Sequence, residues 1–505
     1  MDRSSGILLP IFSLPSNYGI GTLGKEAYKF VDFLKKAGQS YWQILPLGPL
    51  AYGDSPYSTY SIYAGNPYFI DLDILVKDNF IKKSDLKITL SNKITYINYN
   101  KIKKTRSIIL YKAYQNGFKK YKKSYDEFVR KNRYWINDYA LYMSLKEYFD
   151  GLPFNMWPDN KIKRRDKGAI KKYSKLLEDR INYYKFCQYL FYKQFFKLKK
   201  YMNRKGIKLI GDIPIYVPLD SSDVWVNPKC FKLTSAFVPK YISGCPPDVF
   251  SRNGQLWGNP IYNYDYMKKD NYSWWINRIK YSSLIYDVIR IDHFRGFESF
   301  WQVPYGKKTA RQGKWVKGPG MDLLGIIKNK FKNVEFIAED LGFTTARVIK
   351  LVKDFGFPGM KVLQFAFDAK DGADHTPYFY SDNMVCYTGT HDNSTIRGYF
   401  KASKRRDINE CKRYFGVKND SEFTYKVICG GMESNAKLFV AQMQDYLDLD
   451  NKARINVPGT VGTNWKWRMK RGVLSNSLAL DIKRMATLYG RTKDSKKIKL
   501  YKEKK

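Results

Sequence analysis

Eight short, mostly apolar runs bounded by Gly, Pro or Asp most narrow the folds open to this chain. They are Gly6–Pro10, Tyr41–Pro46, Lys208–Tyr216, Val288–His293, Val334–Glu339, Lys361–Phe367, Met384–Thr390 and Ala453–Val457. Several are nearly continuous in Val, Ile, Leu and Phe, the pattern of strands buried on both faces of a parallel sheet. Longer amphipathic stretches separate them. In Glu26–Ala37, for example, Ala27, Phe30, Val31, Leu34 and Ala37 share one stripe and Gly38 supplies the stop. Eight strand–helix units predict an α/β fold, a (β/α)8 TIM barrel.

The units are unevenly spaced, and the gaps predict insertions. About 160 residues separate the second and third runs; Tyr111–Tyr148 and Tyr173–Asn203 within them carry helical patterns rich in Lys and Tyr. A mainly helical insertion is expected over about 80–205. A second, over about 218–287, holds the loop-like run from Gly244 to Pro260. Only about 50 residues follow Val457, too few for an appended C-terminal β-sandwich. The whole chain, 1–505, reads as one elaborated catalytic domain.

Lys and Arg number 89 against 47 Asp and Glu, a formal net charge of +42. Between Tyr99 and Tyr134 there are nine Lys and three Arg against Asp126 and Glu127. Such charge attracts polyanions. It runs through nearly every helical segment, however, so it reads as a compositional bias and not as a specific nucleic-acid platform. No run approaches the ~20 apolar residues that span a bilayer, and Gly6–Phe12 is too short for a signal-peptide core and contains Pro10. A cytoplasmic, monomeric protein without membrane contact is expected. The six cysteines are scattered with no CxxC pair, which argues against a disulfide framework or a zinc site.

Polar residues crowd the carboxyl ends of the runs, where a barrel of this kind builds its active site. Gly211-Asp212-Ile-Pro-Ile-Tyr216 closes the third, Arg290-Ile-Asp292-His293-Phe-Arg-Gly296 the fourth, and Ala338-Glu339-Asp340-Leu-Gly342 the fifth; Gly389-Thr-His391-Asp392-Asn393 follows the seventh. Arg290 and Asp292, two apart on a strand, point to one face, so the guanidinium is a ready partner for the carboxylate. Carboxylates flanking one bond are what glycoside cleavage or transfer requires. Without an HxH or HExxH spacing, a metal site built from His293, His391, Asp292 and Asp392 is the weaker reading.

At these residues the chain resembles the 4-alpha-glucanotransferases, also called amylomaltases or disproportionating enzymes: glycoside hydrolase family 77 of the alpha-amylase clan. The resemblance runs from Arg3 to about Arg468. It rests on Ser5–Pro10, Trp42–Pro49, Gly53-Asp-Ser55-Pro-Tyr57, Ala64–Pro67, Gly254-Gln255-Leu-Trp257-Gly-Asn-Pro260, Gly356–Gln364 and Pro458-Gly-Thr460, besides the strand-end motifs. It implies Asp292 as the nucleophile, Glu339 as the general acid/base and Asp392 as the group that holds sugar hydroxyls and stabilises the transition state. Arg290 would orient Asp292, while His293 and His391 would hydrogen-bond the donor glucose. Tyr57 would stack on that glucose, and Ser55, Asp212, Asp248, Gln255 and Asn464 match further glucan contacts. Trp257 falls in the lid loop, and Tyr52 matches a secondary surface glucan site.

Family members usually carry Gln and Asp where this chain has Ser58 and Ser394. Neither change touches the three carboxylates. The reaction implied is retaining transfer of an α-1,4-glucan segment from a malto-oligosaccharide to the 4-OH of glucose or another glucan, with no metal or organic cofactor. The closest rival is an α-1,4-glucan hydrolase using the same residues, since water competes for the same intermediate.

Overall fold

Alternation along the strands sets the architecture. A computed structural model of the chain describes every residue except 90–94, 248–250, 343–344, 368–371, 373–374, 494 and 496–505. Among the described residues it has strands β1 (Ser4–Leu8), β2 (Tyr41–Gln43), β3 (Lys208–Ile213), β4 (Tyr241–Cys245), β5 (Gln255–Pro260), β6 (Val288–Ile291), β7 (Ser299–Pro304), β8 (Lys314–Lys317), β9 (Glu335–Ala338), β10 (Gly359–Val362), β11 (Met384–Tyr387) and β12 (Leu438–Gln442). Eight form one parallel sheet in the order β10-β11-β12-β1-β2-β3-β6-β9, which is chain order around a ring. The Ala338 N–H donates to the Pro358 carbonyl at 2.9 Å and ties the β9 edge to the β10 edge. The result is the expected (β/α)8 barrel.

Period-2 alternation fills it. Leu8, Tyr41, Ile210, Val288, Ile337, Met360, Val362, Val385, Tyr387, Leu438 and Val440 form one buried cluster, the barrel interior. Their neighbours Ile7, Trp42, Leu209, Ile289, Phe336 and Phe439 belong to the larger cluster shared with the surrounding helices. Each such side chain contributes roughly 1.5–3 kcal/mol on burial, which fixes the register because a one-residue slip would exchange the two sets.

Seven predicted runs overlap barrel strands. The eighth does not: β12 is Leu438–Gln442, while Ala453–Val457 starts at the end of a 3-10 turn and continues without strand structure. Leu438–Gln442 sits only four residues after the helix Phe423–Glu433. The apolar stretch across both reads as one buried helix by periodicity alone. Beyond β12 the described residues hold no further strand, only short helical turns and the helix Asn476–Leu488.

Helices fill the link between β2 and β3, among them Tyr99–Gly117, Lys122–Lys131, Ile136–Tyr148 and the 27-residue Glu178–Arg204. Most lysines of the basic stretch face solvent, but Arg106 is fully buried. A second sheet, antiparallel in the order β5-β4-β7-β8, draws strands from the links on both sides of β6. The run Gly244–Pro260, loop-like by sequence, supplies part of it. Gly258 and Pro260 read as turn residues, and the sheet tolerates them because β5 is an edge strand.

Candidate active site

The inward rows of the barrel change character at their carboxyl ends: Tyr41 gives way to Gln43, Ile210 to Asp212, Val288 to Arg290 and Asp292, Ile337 to Glu339, and Val440 to Gln442. Register then brings these residues together. Asp212 pairs with Arg290 across β3 and β6. Ile291 and Ala338 are the last pair of β6 and β9, so Asp292 and Glu339 stand one step beyond, side by side on adjacent strands.

Arg290, buried, donates from one terminal nitrogen to both Asp212 oxygens at 2.7 and 2.6 Å and to Asp292 Oδ1 at 3.0 Å. Its Nε faces Met360 Sδ at 3.4 Å. Glu339 receives two neutral donors, the His293 N–H on Oε2 at 2.7 Å and the Leu341 N–H on Oε1 at 2.9 Å. His293 adopts the left-handed region, φ 50°, at this turn, a conformation a non-glycine residue keeps only where its surroundings enforce it. Burial pushes both Asp292 and Glu339 above the usual carboxylate range, with Arg290 opposing. The pair therefore retains a proton more readily than free carboxylates do. The guanidinium contacts Asp292 directly, while Glu339 accepts two backbone N–H groups, and both sets of contacts oppose the upward push of burial.

Tyr57 reaches this cluster from the long segment after β2. Its hydroxyl donates to Asp212 Oδ2 at 2.7 Å and lies 3.3 Å from His391 Nδ1. Its ring stacks on His391 at 4.9 Å between centroids. Ser55 accepts the Tyr57 N–H at 3.2 Å, and Ser58 closes the same turn by accepting the Ala51 and Tyr52 N–H groups. Ser55 and Ser58 thus shape the perch of Tyr57. Burial pushes His391 and His293 downward, His293 to about 3, so both imidazoles are neutral. His293 Nε2 is buried without a protein partner among the described residues. Trp257, on β5, lies edge-to-face with His293 at 4.7 Å and donates its indole N–H to Gln255 Oε1 at 3.1 Å.

Asp392 lies beyond β11, its side chain 45% exposed. The Asn456 amide donates to its Oδ1 at 2.5 Å, and His391 Nε2 is 3.4 Å away. Ser394, half-buried, lends its carbonyl to the Gln364 amide at 2.7 Å and to the Gln442 amide at 3.2 Å. The Asn464 amide is engaged within its own loop, with the Val457 N–H and the carbonyls of Val457 and Thr460. Tyr52 is 78% exposed and apart from this network. Asp248 lies outside the described residues. The structure thus joins Tyr57, Asp212, Arg290, Asp292, His293, Glu339, His391 and Asp392 in one mouth, with Trp257 and Gln255 at its side.

Sequence reasoning missed Arg454, Asn456, Gln364 and Asp445, which hold the 388–396 loop. The first two lie inside the run read as the eighth strand; Asn456 sits in Ile455-Asn456-Val457, where alternation signals a strand and nothing signals a brace. Among the described residues no group of three or more His, Cys, Asp or Glu is arranged to hold a metal ion. No helix among them is long and apolar enough to cross a membrane.

The family model for glycoside hydrolase family 77, described as 4-alpha-glucanotransferase, matches residues 9–475. The chain is 49% identical over 484 residues to a 4-alpha-glucanotransferase from Clostridium butyricum, covering 95% of this chain and 99% of that one. It is 44% identical over 500 residues to a 4-alpha-glucanotransferase from Streptococcus pneumoniae, with 98% of each covered. The amylomaltase from Streptococcus agalactiae, solved with acarbose, superposes with a TM-score of 0.95 at 40% identity, covering 97% of this chain and all of that one.

Proposed function

The chain belongs to glycoside hydrolase family 77 and is a 4-alpha-glucanotransferase; from that premise we propose how its own residues divide the work. Asp292 attacks the anomeric carbon of an α-1,4-glucan as Glu339 gives its proton to the departing glycosidic oxygen. A β-glucosyl ester forms and the shortened glucan leaves. Glu339, now a carboxylate, takes the proton from an acceptor 4-OH, which displaces Asp292 and restores the α-linkage. Two inversions give net retention. Such double displacement needs carboxyl groups about 5–5.5 Å apart, and neighbouring strands run about 4.8 Å apart. The observation that carries this reading is the adjacency of Asp292 and Glu339 one step past Ile291 and Ala338, with Arg290 on Asp292.

Asp392 holds sugar hydroxyls and offsets the positive charge of the oxocarbenium-like transition state. Tyr57, His293 and His391 form the donor-glucose wall; Asp212 keeps Arg290 and Tyr57 in place, and Gln255 orients Trp257 over the mouth. Ser55, Asp248 and Asn464 are further glucan contacts, Asn464 through the loop it holds, and Tyr52 is a secondary surface glucan site. Glucose serves among the acceptors. We read the chain as one catalytic domain with insertions over about 80–205 and 218–287, working as a monomer. The cytoplasmic reading is supported by Cys187, Cys230, Cys386, Cys411 and Cys429, buried thiols that form no disulfide among the described residues.

Incubation of the purified protein with maltotriose tests this reading. Glucose should appear together with maltopentaose and longer products. Glucose and maltose without longer oligosaccharides would make the protein a hydrolase and overturn transfer.

A further inference from the structure

Asp392 differs from the other carboxylates of the mouth in being half exposed and held by no strand. An unrestrained carboxylate there samples several rotamers, and one that stabilises charge must already be oriented when the charge develops. The structure shows what restrains it. The Asn456 backbone N–H donates to the His391 carbonyl at 3.1 Å, and its side-chain amide donates to Asp392 Oδ1 at 2.5 Å. Arg454 clamps both partners: its Nε donates to the Asn456 carbonyl at 2.8 Å, and one terminal nitrogen donates to the Asp392 carbonyl at 2.5 Å. Its other terminal nitrogen reaches Ser394 Oγ at 3.4 Å. The Trp465 N–H on the Ile455 carbonyl at 2.7 Å anchors the segment from behind. Among the described residues, Asp392 Oδ2 accepts no hydrogen bond. One oxygen is tied down and the other is left for the sugar.

We propose that Asn456 is a positioning residue for Asp392, held in register by Arg454, fixing the carboxylate so that its second oxygen meets the donor glucose as positive charge develops. The proposal rests on the role given to Asp392 above. Because the brace acts on a group that matters most in the transition state, its removal should lower kcat more than it raises KM. Losing a hydrogen bond to a charged group commonly costs about 10–100-fold.

The test uses the full chain and maltotriose. Asn456→Ala should lower kcat by roughly 10–100-fold with KM changed less than about threefold. Asn456→Asp places a second carboxyl against Asp392. Its activity should recover at acid pH, where the two share a proton in an O–H···O bond, and fall as pH rises and that proton leaves. Adding Asn456→Ala to Asp392→Asn should cost nothing further, since the brace then has no carboxylate to orient. A kcat within about twofold of wild type for Asn456→Ala, or a wild-type pH profile for Asn456→Asp, would overturn the proposal. So would failure of both variants to fold, which would make Asn456 structural. Full activity in Asp392→Asn alone would instead sink the role of Asp392 itself, a separate outcome.

Discussion

Asp292 and Glu339 stand one step past paired residues of β6 and β9, whereas Asp392 stands five residues past the end of β11, in a loop bonded to β12 through Thr388 at its start and through the Ser394 carbonyl. The strand side is fixed by backbone register and by Arg290, a full positive charge shared between Asp212 and Asp292. The loop side is held by amides, hydroxyls and one guanidinium, Arg454, which reaches backbone carbonyls and a hydroxyl but no carboxylate. Asp445 shows the contrast best: fully buried, it accepts the Thr388 hydroxyl at 2.6 Å and the Ile396 N–H at 2.7 Å, and so pins both ends of the 388–396 loop through donors that are, among the described residues, neutral. Register positions a residue as a consequence of folding; a loop residue has to be held by contacts made for that purpose.

The largest effect should come from the strand side. Asp292→Asn keeps the size and the Arg290 contact but cannot form the ester, and transfer should fall by roughly four orders of magnitude or more. A melting temperature near wild type, read beside the rate, separates lost chemistry from lost fold. Glu339→Gln should be similarly impaired with maltotriose, yet a donor carrying an activated leaving group should restore its first step as a burst without turnover. Near-wild-type turnover in Asp292→Asn would remove the basis of the comparison.

The same division explains what the sequence made legible. Strand-borne site residues follow from period-2 alternation: once Val288, Arg290 and Asp292 share a face, Arg290 and Asp292 need no further information to meet. Seven barrel strands and the motifs at their ends were readable for that reason. β12 was not, because Leu438–Gln442 follows a helix so closely that one apolar pattern covers both. Asn456 was hidden because its role depends on where two loops cross, which no local periodicity encodes. The second sheet was missed because it assembles strands from either side of β6, and β5 carries Gly258 and Pro260.

A second effect should appear on the loop side as pH-dependent stability. Burial without a cation pushes Asp445 up to about 7. A folded-state value above the unfolded one means that the folded protein holds the proton more tightly. The associated stability is complete below about pH 4 and is lost as pH rises towards 7. Converted at about 1.4 kcal/mol per pH unit, the full change is of order 4 kcal/mol. Asp445→Asn, permanently neutral, should flatten the fall in melting temperature between pH 5 and 8 and exceed wild type at the alkaline end. Equal slopes for the two proteins would show that Asp445 stays ionised, and the contrast with Asp212 would fail.

The smallest effect concerns Trp257, which belongs to neither side. It stands on the edge strand β5, outside the barrel, and reaches the mouth through its edge-to-face contact with His293. On the proposed mechanism, a glucosyl ester on Asp292 would persist until an acceptor arrives, with water always in excess. Transfer therefore wins only if the incoming sugar is bound and productive access of water is limited. The indole is half-exposed, so a flat apolar face remains for a sugar ring. Its N–H is satisfied by Gln255, which holds that face in place without engaging the barrel. Trp257→Ala should leave the fold intact, because the β4–β5 pairing does not depend on that side chain, and should raise the ratio of hydrolysis to transfer by a few-fold, about 1 kcal/mol of discrimination. With maltotriose, the signature is free glucose released without a matching yield of maltopentaose. If melting temperature falls sharply while the product ratio stays fixed, Trp257 is a packing residue of the small sheet, and selection against water lies within the barrel mouth itself.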